Sequence, residues 1–384
     1  MKRLIVRTGA LLTLLALVPA ARAVDEPERP PLPNLDQRDL AAAKAPPAQA
    51  EPLVQAAAVS RLQARVPGAK VERDALLGTP KFICSTTGFL TGPNGEGKGV
   101  SAEAARAVPA NDPHRAIKAF LNEHTPLFGH GAEALDSARV KRDFTTAHNG
   151  LRTTAWEQQL DGISVFEAVL TAHVTKNGEL VNVAAQFVPD LAPAANNGNR
   201  NRAALQNNPV VSARQALALA AKNVGDEQAA TGVTTIDAQP AGAEKRQRLR
   251  APSIRNDADA RLVWLPMNRA TLRLCWELIF TSQSRGEMFR VLLDAETGEV
   301  LVRHSLTTYI SNATYRVYTS DSPSPFSPGH AAPSTNQPPL VPRVLVVTNA
   351  FNTNASPNGW IDDGVNETRG NNVDAHTEIG RAHV

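Results

Sequence analysis

The segment after Asp112 has the apolar spacing of one face of an α-helix. Asp112 is a suitable N-cap residue, Pro113 suits the first helical position, and the pair Thr125-Pro126 predicts the end of the helix. We therefore expect one amphipathic helix here. The positions that would face a core are Ala116, Ile117, Phe120 and Leu121.

Three runs of strand-forming residues follow this helix. Residues 156–160 and 163–175 meet across Asp161-Gly162, and the second run meets residues 179–188 across Asn177-Gly178. Asp-Gly and Asn-Gly predict tight hairpins, because both central residues of such a turn need positive φ. In the middle strand, alternation puts Phe166, Ala168, Leu170, Ala172 and Val174 on one face, and Val165, Glu167, Val169, Thr171 and His173 on the other.

The same order of elements recurs further along the chain. Residues 212–223 predict a capped helix that ends before Gly225, and strands are predicted at 261–267, 271–280, 287–294 and 299–306. The last two strands meet across residues 294–298. The recurrence indicates either a weak internal repeat or shared hairpin chemistry. The predicted fold class is α+β, with two modules that each pack a helix on an antiparallel meander, at residues 59–191 and 210–307.

Stretches rich in proline, alanine and asparagine separate these modules from the rest of the chain. Residues 24–58 contain seven prolines and predict an extended leader, and residues 192–209 predict a linker. Residues 1–23 combine Lys2 and Arg3 with a short apolar run and a small-x-small ending, the pattern of a cleavable signal peptide. We expect an exported protein with no membrane span after signal cleavage.

Charge excludes one class of partner. The net charge is +3, but four basic residues and no acidic residue precede Val24, so the remainder carries 36 basic against 37 acidic side chains. No basic stripe supports nucleic-acid binding.

The two cysteines, Cys84 and Cys275, could pair in an oxidising compartment, but their spacing does not decide whether they do.

The sequence contains no recognisable catalytic, cofactor-binding or metal-binding residues. There is no His-Glu-x-x-His or Gly-x-Ser-x-Gly motif, and the nine histidines are interpreted as surface or packing residues. The glycine loop at 92–99 lacks the Ser or Thr of a phosphate loop after Lys98. Asp362-Asp363 lacks the donor spacing of an EF-hand and is interpreted as a solvated turn.

Three segments resemble parts of known families. Residues 355–377, ASPNGWIDDGVNETRGNNVDAHT, resemble the start of the catalytic domain of fungalysin-family secreted zinc metalloendopeptidases. Residues 156–191, with LDGISVFEAVL and VPDL, resemble the propeptide shared by fungalysin and thermolysin relatives, and residues 262–306 are similar to a PepSY-type module. The order of signal, propeptide, PepSY-like module and catalytic start at 308–377 also matches.

This resemblance implies the N-terminal part of a secreted zymogen. Its propeptide would assist folding of its own or a related protease catalytic domain, occlude the cleft, and be cut between His304 and Tyr315. Zinc is implied for the full-length enzyme, which would act on protein substrates. The family's zinc ligands and catalytic Glu lie beyond this chain, so none maps to a residue here and the chain as given is expected to be inactive.

The last seven residues, 378–384, depart from the family pattern. EIGRAHV corresponds to the codons GAG-ATC-GGA-AGA-GCA-CAC-GTC, which apart from the first base match a common sequencing adapter. We interpret these residues as an artefact. The alternative function is an exported, non-enzymatic binding or inhibitor protein built from propeptide-like modules, which explains the missing ligands but not the catalytic-start motif.

Overall fold

The segments with alternating apolar residues join in one sheet of thirteen strands. The computed structural model describes residues 30–39, 53–227, 229–237 and 239–307, together with four short strands further on. The strands of the sheet are β1 (Leu35–Asp36), β2 (Ala69–Arg73), β3 (Pro80–Ser85), β4 (Arg139–Thr145), β5 (Arg152–Leu160), β6 (Ile163–Val174), β7 (Leu180–Ala185), β8 (Thr234–Thr235), β9 (Gln247–Arg250), β10 (Ala258–Asn268), β11 (Thr271–Thr281), β12 (Met288–Asp294) and β13 (Val300–Ser305).

Helices pack on this sheet and connect its strands. They are α1 (Leu53–Arg65), α2 (Ala102–Arg106), α3 (Arg115–Glu123), α4 (Thr125–Phe128), α5 (Glu133–Asp136), α6 (Leu191–Gly198), α7 (Arg202–Asn207) and α8 (Ala213–Asn223), with 3-10 turns at Pro93–Gly95 and Ala230–Gly232. The fold is therefore α+β with a mainly antiparallel sheet, as predicted. None of the helices in the described part of the chain is long and apolar enough to cross a membrane.

The chain divides into two units. Residues 32–306 form the first, which contains the thirteen-stranded sheet. The second combines residues 1–31 with 307–384. Its described part holds two hairpins, in which β14 (Ala313–Val317) pairs with β15 (Val344–Thr348) and β16 (Glu367–Arg369) pairs with β17 (Asp374–His376).

The large sheet consists of two antiparallel halves. The first half-sheet has the order β4-β5-β6-β7-β3-β2, and the second has the order β8-β9-β10-β11-β12-β13-β1. A single parallel pairing between β6 and β10, at Val165 and Trp264, joins them. β1 pairs with the last strand, so Leu35 lies opposite Arg303. Part of the segment predicted as a leader thus belongs to the sheet.

The three predicted hairpin turns form, and they differ in detail. Asp161 and Gly162 both have positive φ, of 54° and 76°, as the Asp-Gly prediction requires. At the second turn only Gly178 has positive φ, and its N–H donates to the Thr175 carbonyl at 2.9 Å. This geometry is a type I turn followed by a left-handed glycine, so the prediction for Asn177 was wrong.

The helix predicted after Asp112 begins at Arg115, two residues after Pro113, the predicted first helical residue. α3 has His114 at the N-cap position, while the Asp112 carboxylate accepts from the His114 N–H at 2.7 Å and from Lys118 at 2.8 Å. Asp112 therefore forms a turn ahead of the helix. Thr125-Pro126 does mark the end of α3, but it also opens the short helix α4. The prediction for 212–223 is confirmed, because Ser212 and Gln215 form a capping box on α8.

Strict alternation along β6 fails at Glu167. Ala172 and Leu170 belong to the core of the first half-sheet, whereas Phe166 belongs to a cluster on the opposite side of the second half-sheet. Glu167 has a φ of +61°, which bends the strand between the two halves. Positive φ is rare for a residue with a long side chain, so the sequence pattern does not predict this bend.

The predicted linker at 192–209 is largely helical and packs on the sheet. Ala194 and Ala195 of α6 are buried in the core of the second half-sheet. The Asn199 side chain donates to the Leu272 carbonyl at 2.9 Å and accepts from the Leu274 N–H at 3.2 Å. It therefore satisfies backbone groups at the start of β11, as a neighbouring strand would.

The two cysteines are free. Cys84 lies on β3 and Cys275 on β11, four strand positions apart in the sheet. Four strand spacings amount to about 19 Å, well beyond the ~7 Å that a disulfide spans. The sequence left open whether Cys84 and Cys275 form a disulfide, and the structure shows that they do not.

Candidate functional site

The two half-sheets differ in how their second faces are covered. In each half, one face packs against helices: Trp156, Leu170 and Val183 meet Ile117 and Phe120 in the first half-sheet. The second face of the second half-sheet is also buried, through the cluster Phe166, Val263, Leu265, Cys275, Leu292, Leu301 and Val302.

The second face of the first half-sheet is not covered by the described part of the chain, and we call it the open face. The strand registers align its side chains in two rows across six strands, because directly opposed residues in an antiparallel ladder share a face. Every one of them is half-buried or exposed. The rows are Glu72–Phe82–Ala184–Thr171–Ala155–Arg142 and Lys70–Cys84–Asn182–His173–Thr153–Phe144.

The centre of the open face is small and weakly polar. Ala155, Thr171 and Ala184 form the middle of one row, and in the other His173 Nδ1 lies 2.8 Å from Asn182 Oδ1. A face with few bulky side chains lets another surface approach the sheet closely. Phe82 on β3 and Phe144 on β4 lie on either side of this centre.

Strand β4 forms a basic edge to the open face. All seven of its residues are exposed, and it pairs with β5 alone among the described strands. Arg139 and Lys141 both pair with the buried carboxylate of Glu157. The Arg142 guanidinium lies 6.0 Å from the Phe144 ring centroid and has no acidic partner in the described part of the chain.

A buried ionic network continues from this edge to the second half-sheet. The Ser164 hydroxyl lies 2.9 Å from Glu157 Oε2 and 2.5 Å from Glu244 Oε1, and its single proton reaches one carboxylate at a time. Arg261 lies 3.6 Å from Glu244 and 2.5 Å from Glu277. The network therefore spans the place where the two half-sheets join.

Two glutamates of this network, Glu157 and Glu244, stay ionised. Burial opposes ionisation of Glu157, but hydrogen bonds from Lys141 and Ser164 outweigh it and hold the pKa of Glu157 below its usual value. Burial likewise opposes ionisation of Glu244, whose pKa is lowered by hydrogen bonds from the Ser164 side chain and backbone and by Arg261. The network thus carries fixed charge at neutral pH.

The helix side of β4 and β5 holds a separate polar cluster. His114 packs edge-on against Trp156 with ring centroids 5.0 Å apart, and Arg152 binds Asp143 through two hydrogen bonds of 2.8 and 2.6 Å. Burial and the nearby Arg152 lower the pKa of His114, so the imidazole is neutral at pH 7. A pocket of about 130 Å³ adjoins these residues. This cluster anchors the edge strand to the start of α3.

Some features noted in the sequence lie in the described part of the chain, and others lie outside it. His124 and His130 are buried and bond to the carbonyls of Gly99 and Gly131, at 2.9 and 3.1 Å, so both serve packing. The glycine loop forms a 3-10 turn followed by Lys98, whose ammonium lies over Phe89. Asp362-Asp363 and the segment 378–384 lie outside the described residues.

The described residues do not fit a zinc ion, because they contain no group of three or more His, Cys, Asp or Glu side chains placed to hold a metal.

The basic edge of the open face was not predicted from the sequence. Its signal was the run RVKRDF at 139–144, but exposure of that run depends on the position of β4 at the end of the half-sheet.

Acidification should destabilise the fold through His124. Burial lowers the pKa of His124 from 6.5 to about 4, so the unfolded chain takes up a proton between these values and the folded chain does not. Stability is therefore lost as pH falls from 6.5 to about 4. The loss should be about 3 kcal/mol, measurable by urea unfolding at a series of pH values. In His124→Asn the slope above pH 5 should decrease to the part contributed by His114 and His130, whose pKa values burial also lowers, and an unchanged slope would contradict the assignment.

Comparison with known proteins identifies part of this site. Residues 136–187 match the Fungalysin/Thermolysin Propeptide Motif, which covers β4, β5, β6 and β7 and hence most of the open face. The match confirms the propeptide resemblance predicted from the sequence. It defines a protease propeptide-like module within the chain.

A search of solved structures finds the Bacillus megaterium YpeB C-terminal domain. The similarity has a TM-score of 0.22 and 11% identity, and it covers 66% of this chain and 98% of that domain. A search of curated proteins finds no match.

Proposed function

We propose that this chain is the propeptide-bearing part of a secreted zinc metalloendopeptidase precursor, and that it assists folding of the protease and inhibits it. The observation that carries the proposal is the propeptide motif on β4–β7. The predicted signal peptide, the PepSY-like segment and the catalytic-start string at 355–377 support the same function.

The arrangement of the first half-sheet suits this role. Its helix side is a packed core with Trp156 and Phe120 almost fully buried, so the opposite face is held rigidly. A preformed face can bind the catalytic domain without a large cost in ordering entropy. Binding there would stabilise the folded protease and, where it covers the substrate cleft, block access.

A refolding assay tests both activities. We expect the full chain, added in equimolar amount to a denatured thermolysin-type protease, to raise the yield of active enzyme at least about tenfold. The same chain should inhibit the mature protease. Heat-denatured chain serves as the control, and no effect on either yield or activity would contradict the proposal.

The source gene provides an independent test. We expect the frame downstream of the Thr377 codon to encode a His-Glu-x-x-His helix, in which two imidazoles one turn apart bind zinc and the glutamate activates water. A genomic stop codon directly after EIGRAHV would refute the enzyme part of the proposal and favour an exported inhibitor.

A further inference from the structure

We propose that the open face, together with its basic β4 edge, binds an acidic protein surface. This inference rests on the proposed function, in which the partner is the catalytic domain of a metalloendopeptidase, and it assigns the surface that the partner contacts. The equivalent face of the second half-sheet is buried, so only the first half-sheet offers a sheet face to a partner within the described part of the chain.

The charges on the β4 edge are not balanced. Glu157 faces both Arg139 and Lys141, and one carboxylate neutralises one of the two. Arg142 adds a further uncompensated cation. Asp143 does not reduce this excess, because Arg152 already binds it bidentately. Carboxylates on the partner would complement the two remaining positive charges.

An exposed apolar side chain lies beside these cations. Phe144 is 44% exposed and shares the open face with Arg142, whereas Val140, which is 49% exposed, pairs with Trp156 and lies on the helix side. An arginine next to an exposed aromatic ring is a common anchor in protein interfaces. The ring provides apolar area, and the guanidinium provides directional hydrogen bonds. A partner with carboxylates around an apolar patch fits this edge.

The partner should dock on the face and not extend the sheet. The register between β4 and β5 shifts between Val140 and Arg142, so Lys141 forms a bulge in the edge strand. Bulges and lysines at edges are devices that prevent strand addition. The face itself, with Ala155, Thr171 and Ala184, is unobstructed. Nucleic acid is disfavoured, since the chain after residue 23 has a formal charge of −1.

Charge reversal at Arg142 tests this surface. Binding of the full chain to a catalytically inactive thermolysin variant would be measured by biolayer interferometry at low and high salt. We expect Arg142→Glu to weaken binding at least tenfold and to reduce the salt dependence, since salt screens exposed charges. Arg142→Lys keeps the charge and should bind within about twofold of the wild type.

Lys222→Glu is the matched control. Lys222 is also exposed but lies on α8, which packs on the second half-sheet, so its reversal should leave the affinity unchanged. Thermal unfolding confirms that each variant is folded. If Arg142→Glu binds and inhibits like the wild type, the surface is wrong while the proposed function stands. If the wild-type chain neither binds nor inhibits, both proposals fail.

Discussion

Replacing Gly198 by alanine is expected to destabilise the first unit by at least about 3 kcal/mol, because a side chain there overlaps backbone atoms. A Cβ on Gly198 would lie 1.8 Å from the Leu272 carbonyl oxygen and 2.7 Å from its carbonyl carbon. Neither atom can rotate away, so α6 would have to move off β11. That movement would also break the two hydrogen bonds between the Asn199 side chain and β11, one donated by Asn199 and one accepted by it.

Urea unfolding of the full chain measures this effect. Asn196→Ala is the matched control, because Asn196 is exposed on the same helix and its truncation should change stability by less than about 0.5 kcal/mol. A Gly198→Ala protein as stable as the control would show that α6 does not approach β11 this closely.

Replacing Trp264 by alanine should cost about 3–5 kcal/mol, the usual range for removing a fully buried tryptophan. Trp264 has no exposed surface, it pairs with Val165 across the two half-sheets, and its indole N–H donates to the Leu160 carbonyl at 3.3 Å. The loss should therefore loosen the connection between the halves as well as the core of the second half-sheet.

Hydrogen exchange separates these two effects. In Trp264→Ala, we expect faster exchange in β6 and β10 than in β2 and β3, which lie at the far edge of the first half-sheet. Trp264→Phe retains most of the volume and should show a smaller loss. Uniform acceleration across both half-sheets would instead indicate that they unfold as one cooperative body.

Local signals in the sequence predicted three hairpins and the helices α3 and α8. Asp161-Gly162 and the capping box at Ser212 depend on neighbouring residues only, and the structure places both as expected. The propeptide resemblance likewise followed from contiguous residues and is confirmed over 136–187. Features that depend on a short window of sequence were therefore accessible.

Features that depend on contacts between distant residues were not accessible from the sequence. The pattern APAANNGN predicts a linker, yet Gly198 and Asn199 fit a gap at the start of β11 that only the folded sheet creates. Glu167 carries no sequence signal for positive φ. The open face is defined by strand order, so the exposure of Arg142 and Phe144 could not be read from their own segment.

The pairing of β1 with β13 has a consequence for the order of folding. Leu35 and Arg303 are neighbours in the sheet although 268 positions separate them, so this contact closes a very long loop and contributes heavily to the contact order. During synthesis, β1 can pair with β13 only after residues near 303 have left the ribosome. The hairpins of the first half-sheet can form much earlier. The segment before α1 is thus expected to stay accessible to proteases and chaperones in the nascent chain and to become protected last.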